Sequence, residues 1–279
     1  MAGHPHDIRL TDLTVGYGDK AIVSDVNVNL PGGHISVILG GSGCGKSTLL
    51  KHILKLHRPL SGQIHVGRHD VLALEGKAWL CLKLKLGLLF QDGALLGSLT
   101  LGDNVALPLR EHTRLTPVQA YDMALSKLAL VGLEQYAHLY PNQLSGGMRK
   151  RAGLARALVM DPVILFCDEP TSGLDPINSA ELDQLLLELK RRFNITIVVV
   201  SHDLASMRTI ADHVVVLGEG RVLFDGTKSE LETTDDPYLR RFLDRIATER
   251  DTPRVSASRL DPALLKVDCG RYLGQVNAE

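Results

Sequence analysis

The chain has 279 residues, with 31 Lys and Arg against 32 Asp and Glu for a formal charge of −1, 44% hydrophobic residues and 23% charged ones. That balance leaves no basic excess to neutralise phosphates and argues against nucleic acid as the main partner, while the apolar content excludes a disordered chain. No apolar run reaches the ~18–20 residues of a membrane span, since Lys83 and Lys85 interrupt the best candidate; the first ten residues lack a signal-peptide core; and Cys44, Cys81, Cys167 and Cys269 show no paired spacing, which points to a reducing cytosol.

Residues 8–30 alternate in polarity and fit antiparallel strands at one edge. Residues 34–39 (HISVIL) form a strand entering a Gly-rich turn, and a helix follows over 47–56, ending before Pro59. From about 93 to 160 the pattern turns helical. The spacing predicts helices over 116–131 and 149–160, where Met148, Ala152, Ala155 and Val159 recur at i, i+4, i+7 and i+11. Residues 163–167 (VILFC) and 195–200 (ITIVVV) are near-continuous apolar runs, as expected of strands buried on both faces. A late strand pair flanks Gly218 and Gly220 over 213–217 and 221–224. Residues 238–246 carry one apolar stripe (Tyr238, Leu239, Phe242, Leu243, Ile246) and predict a helix docked on the core; residues 251–279 form a polar tail. Strands alternating with helices define an α/β domain with a largely parallel sheet.

The strongest chemical signal is Gly40-Gly41-Ser42-Gly43-Cys44-Gly45-Lys46-Ser47-Thr48. It matches G-x-x-x-x-G-K-[ST] and lies between a strand and a helix, the context the motif requires. Small residues let consecutive N–H groups face a phosphate, and the helix N-terminus adds its positive dipole end. Lys46 reaches toward the β- and γ-phosphates, and the Ser47 hydroxyl is placed to ligate Mg²⁺. Asp168 and Glu169 follow the VILFC strand directly. Alone, such a pair is as often a solvated loop; beside a phosphate loop, Asp168 falls where a Mg²⁺ ligand belongs and Glu169 where a general base belongs. Gln91 and His202 each end a strand and are weak signals singly. Arg149, Lys150 and Arg151 crowd a helix start, where the dipole disfavours cations; either they are solvated or they face an anion.

In order, the chain shows Tyr17, the loop 40–48, Gln91, LSGGM at 144–148, VILFCDEP at 163–170, SGLD at 172–175 and SHD at 201–203. Over roughly residues 7–235 it resembles the nucleotide-binding subunit of an ABC transporter. The resemblance implies a P-loop NTPase core (about 1–92 and 161–235) with an antiparallel β edge, an inserted helical subdomain (about 93–160) and a C-terminal helix and tail (236–279). It implies ATP and Mg²⁺ as cofactors. Tyr17 matches the aromatic that stacks on adenine, and Gln91 the residue that senses Mg²⁺ and the membrane partner. Ser145, Gly146 and Gly147 match the signature that clamps the γ-phosphate across a dimer. Asp168 matches the Walker B carboxylate, Glu169 the catalytic base, Asp175 the D-loop and His202 the switch histidine. One loop and one signature per chain imply a homodimer on ATP.

Met148 stands where the family usually has Gln. With FQDGALLGSLTLGDNVALPLREHT at 90–113 and DPYLRRFLDR at 236–245, this is similar to the phospholipid-trafficking (Mla) ATPases of Gram-negative bacteria. That resemblance implies a multispanning permease, an MCE-domain lipid-binding protein, a possible STAS-domain subunit, and a place on the cytoplasmic face of the inner membrane. Residues 93–99, small and apolar, fit either buried core or a groove for a permease helix. The alternatives are an amino-acid or ion importer ATPase, an SMC-type DNA-maintenance ATPase, whose long heptad coiled coil is missing, and a translation-associated factor, which needs two cassettes.

Overall fold

The computed structural model describes residues 4–244; the expected tail, with Ile246 and Cys269, lies outside the described residues. Two sheets organise the described residues. The larger has the order β10-β9-β3-β8-β7-β6, built from β3 (Ile35–Gly40), β6 (Leu86–Leu89), β7 (Ile164–Asp168), β8 (Thr196–Ser201), β9 (His213–Gly218) and β10 (Arg221–Thr227). All its pairings are parallel except β10 with β9. Every residue of β3 and β8 is buried, which for β8 explains the near-continuous apolar run of its sequence.

The antiparallel strands expected in residues 8–30 are present as β1 (Ile8–Tyr17) and β2 (Lys20–Leu30). They belong to a sheet of their own, in the order β2-β1-β4-β5, with β4 (Ser61–Val66) and β5 (His69–Asp70). Alternation along β1 buries Ile8, Leu10, Leu13 and Val15, and this face covers the larger sheet. Helix α1 (Lys46–Ile53) lies between them. Side chains of the larger sheet divide by their period of two. Ile38, Phe166, Val198 and Val200 join the core shared with β1, β2 and α1. Val37, Leu39, Leu165, Cys167 and Val199 face the helices on the other side.

Those helices include α3 (Leu101–His112), α4 (Pro117–Leu130) and α5 (Gly146–Leu158), inserted between β6 and β7; α2 (Gly76–Lys83) precedes β6. Leu101, Val105, Ala106 and Leu109 pack with Ala120, Ala124, Leu128, Ala152 and Ala155. Small residues on α4 and α5 let the three axes approach closely. Thr116 caps α4 in a full capping box with Gln119. Helix α5 starts three residues earlier than its spacing predicts, because Ser145 caps it by accepting from the Met148 N–H at 3.2 Å, so the glycine pair is helical.

The longest helix among the described residues, α6 (Pro176–Phe193), is absent from the elements expected above, as are α2, α7 (Leu204–Ile210), α8 (Lys228–Glu232), β4 and β5. Its boundaries carry strong signals in retrospect: an Asp175 cap, Pro176 at the first position and Asn194 in the left-handed conformation at its end. The last helix among the described residues, α9 (Pro237–Leu243), buries Leu239 and Leu243 against the core. Among the described residues no helix is long and apolar enough to cross a membrane.

One buried carboxylate ties α6 to α7. Asp183 is 4% exposed and accepts from the Ser206 hydroxyl at 2.6 Å; burial pushes its pKa from 3.8 up to about 6. A folded value above the unfolded one means that the folded state favours the protonated form. That stabilisation is present in full below pH ~4 and is lost as pH rises through about 6. At one unit per 1.36 kcal/mol, ionisation costs the fold up to about 3 kcal/mol at pH 7.5. Asp183→Asn keeps an oxygen for Ser206 and cannot ionise. Its Tm relative to wild type is expected to be several degrees more favourable at pH 7.5 than at pH 5. Thermal denaturation at the two pH values checks this, and an offset independent of pH contradicts it.

Candidate nucleotide site

Strand register alone assembles the centre. Leu39 of β3 lies opposite Ser201 of β8, and Asp168 of β7 opposite Val200. The carboxyl ends of three adjacent strands therefore finish together, and the loops leaving them meet at one edge, where α/β sheets place their ligands.

The loop after β3 wraps toward α1. Gly45 caps the helix at φ +104°, and a Cβ there would come within 2.3 Å of the Val23 side chain. Only glycine fits that backbone. No side chain caps the helix and no acid occupies its first turn, so its leading N–H groups remain available to an anion. Lys46 is 6% exposed. Its ammonium donates to the Gly40 and Gly41 carbonyls at 2.9 and 3.1 Å and lies 3.7 Å from Glu169 Oε1. The Ser47 hydroxyl donates to Asp168 Oδ1 at 2.9 Å. Burial raises the pKa of Asp168, and the neighbouring Glu169 adds to the rise, against the Ser47 hydrogen bond and the charges of Lys51 and Lys46. Burial also raises that of the Cys44 thiol within the loop.

Glu169 adopts φ +48°, a left-handed conformation that costs a non-glycine residue about 1–3 kcal/mol. Its N–H donates to the Val200 carbonyl at 2.8 Å, and its Oε2 pairs with His202 Nδ1 at 2.7 Å. Backbone strain thus turns the carboxylate out of the sheet into the space between Lys46 and His202.

Ser47 bonds Asp168 while Lys46 and His202 pair with Glu169, and because Ser47 follows Lys46 and Glu169 follows Asp168 the two sets make one cluster. Tyr17, 46% exposed at the end of β1, stands beside α1 with its ring edge-on to His57 at 5.3 Å. Ser145, Gly146 and Gly147 make no hydrogen bond to that cluster among the described residues. Gly147 lies instead against the start of α6, where a Cβ on it would touch Asn178 and Leu174, whereas a Cβ on Gly146 would meet open space. Asp175 caps that helix through the N–H groups of Ile177 and Asn178. Gln91 is exposed just beyond β6. In the apolar segment after it, Gly93 is buried whereas Ala94 and Leu96 are exposed, so that segment is divided between core and surface.

Of the three cations at the start of α5, two are taken up by backbone carbonyls and one faces an anion. Arg149 donates to the Leu144 carbonyl, Lys150 to the carbonyls of Glu169 and Ser172, and Arg151 pairs with Glu181. Lys150 and His57 are the site neighbours that motif reading misses. Lys150 has no signal beyond its place in the basic run, and His57 none at all.

The donor set fits a magnesium nucleotide. Ser47 and Asp168 offer hard oxygens side by side, a lysine stands among carbonyls it can exchange for phosphate oxygens, and no cluster of three or more His, Cys, Asp or Glu exists among the described residues to form an all-protein metal cage. Mg²⁺ bound by one or two side chains plus phosphates matches that arrangement.

Residues 23–172 match the family model described as ABC transporter. A Mycobacterium tuberculosis protein named as a probable ribonucleotide transport ATP-binding protein, Mkl, is 44% identical over 276 residues, covering 96% of this chain and 76% of the relative. The Escherichia coli intermembrane phospholipid transport system ATP-binding protein MlaF is 38% identical over 240 residues, covering 86% of this chain and 89% of that one. Among solved structures, a dimeric ATP-binding cassette in a post-hydrolysis state with ADP and Pi superposes with a TM-score of 0.72 at 32% identity, over 79% of this chain and 98% of the other.

Proposed function

The chain belongs to the ABC transporter family as an ATP-binding subunit with ATPase activity, and from that premise we propose that its hydrolysis cycle drives phospholipid trafficking across a bacterial envelope. The observation that carries the cargo is the match to MlaF over 86% of the chain, together with the segment 90–113 and Met148. The name of the more identical relative, Mkl, favours a second reading in which the cargo is a ribonucleotide.

In the proposed cycle adenine stacks on Tyr17, and the N–H groups of residues 40–48 hold the phosphates. Lys46 leaves the Gly40 and Gly41 carbonyls for the β- and γ-phosphate oxygens. Ser47, Asp168 and Gln91 would hold Mg²⁺, which supplies neutralisation of the phosphate charge when bound. Glu169 accepts a proton from the water whose oxygen attacks the γ-phosphorus as the bond to the β-phosphate oxygen breaks, giving ADP and phosphate. A positioned base of this kind contributes about 10²–10⁴-fold, and His202 holds the carboxylate in line. Ser145, Gly146, Gly147 and Asp175 act on the nucleotide of a second copy of the chain, a reading supported by the absence of hydrogen bonds from them to Lys46, Ser47, Asp168, Glu169 and His202 among the described residues. The homodimer works on multispanning permease subunits at the cytoplasmic face of the inner membrane, with an MCE-domain protein and a STAS-domain subunit as further components.

The cargo is tested by reconstituting the subunit with its permease in vesicles. ATP-dependent movement of a labelled phospholipid, absent with the Glu169→Gln variant, is the expected result. Movement of labelled ribonucleotide without lipid would establish the second reading.

A further inference from the structure

Helix α5 carries the signature serine at its cap, and one turn further on it carries Lys150, 6% exposed. The ammonium donates to the Glu169 carbonyl at 3.0 Å and to the Ser172 carbonyl at 2.5 Å. The Glu169 carbonyl also accepts from the Ser172 N–H at 3.2 Å. Two bonds therefore close on the single strained peptide that turns the catalytic carboxylate out of β7. The same helix is pressed against the segment after Gln91. A Cβ on Gly153 would come within 2.8 Å of Gly93 Cα, and Arg156 donates to the Gly93 and Ala94 carbonyls at 2.9 and 2.8 Å.

We propose that Lys150 is a positioning residue for ATP hydrolysis: its ammonium, delivered by the helix that begins at the signature, fixes the left-handed turn at Glu169 and so aims the carboxylate at the attacking water. A rotation about the Glu169 backbone would swing the carboxylate, and a displacement near 1 Å at a reacting group costs about 10²-fold in rate. A hydrogen-bonded ammonium holds the turn from the far side, leaving the carboxylate oxygens to Lys46 and His202. Movement of α5 relative to the strands is thereby transmitted to the base through one side chain. The inference rests on Glu169 acting as that base.

Steady-state ATPase kinetics of the full chain test it. K150M is expected to lower kcat at least tenfold, with KM for MgATP within about twofold of wild type. K150R, which retains charged donors, is expected to restore most of the loss. Wild-type kcat in K150M overturns the proposal, and so does a loss of kcat matched by an equal loss of nucleotide affinity, the mark of a general packing role. Should K150M fail to fold, K150Q, whose polar amide lacks the charge and is shorter than the lysine, decides on the same two criteria. Glu169→Gln separates the premise from the inference. A dead Glu169→Gln beside a fully active K150M rejects positioning alone, whereas an active Glu169→Gln rejects the base.

Discussion

Glu169→Gln is expected to bind MgATP with affinity close to wild type while turnover falls at least 10²-fold. The amide matches the carboxylate in shape and keeps an oxygen near His202, so the turn and the phosphate loop are preserved. What disappears is the proton acceptor, and with it the contribution of about 10²–10⁴-fold that a positioned base makes. The partial attraction between Glu169 Oε1 and the Lys46 ammonium 3.7 Å away also goes, which frees Lys46 for phosphate oxygens and leaves affinity intact or slightly raised. ATP should then persist long enough to hold two copies together, visible as a nucleotide-dependent dimer by size-exclusion chromatography. Turnover equal to wild type would remove Glu169 from the chemistry.

Lys46→Met is expected to produce the opposite pattern, a loss at the binding step. The ammonium is buried and bonded to two loop carbonyls, so replacing it with an apolar chain removes the charge that attracts the phosphates and takes one donor from each of those carbonyls. Each hydrogen bond to a charged group contributes about 1.5–3 kcal/mol, so losing one to a phosphate oxygen weakens nucleotide binding by roughly 10- to 100-fold. Titration with a fluorescent ATP analogue measures this directly. Affinity within twofold of wild type would show that Lys46 stays folded back on the loop when nucleotide is bound. The two variants together separate cradle from base: one binds without turning over, the other barely binds.

Much of the molecule is legible before any coordinates. Buried parallel strands announce themselves because both faces must be apolar, so VILFC and ITIVVV admit few other readings. The phosphate loop is legible because its chemistry is local: consecutive small residues, a lysine and a hydroxyl act within nine positions, and their spacing is their geometry. The capped helix at 117–130 is legible for the same reason. By contrast α6 escapes notice because its cap, Asp175, is read as the end of a motif, although Asp175, Pro176 and Asn194 mark its limits.

By itself, then, the sequence determined the parallel α/β core, the phosphate loop and the order of the motifs, since each depends on residues close together along the chain. Only the tertiary structure decided that residues 8–30 form a separate sheet covering α1, that the carboxyl ends of β3, β7 and β8 finish in register, and that Lys150 reaches across 19 residues to the Glu169 carbonyl. These depend on which strands pair and where a long side chain can be buried. Such choices are settled by packing between distant segments, where a lysine surrounded by basic neighbours reads as a solvated charge until the carbonyls it satisfies are placed beside it.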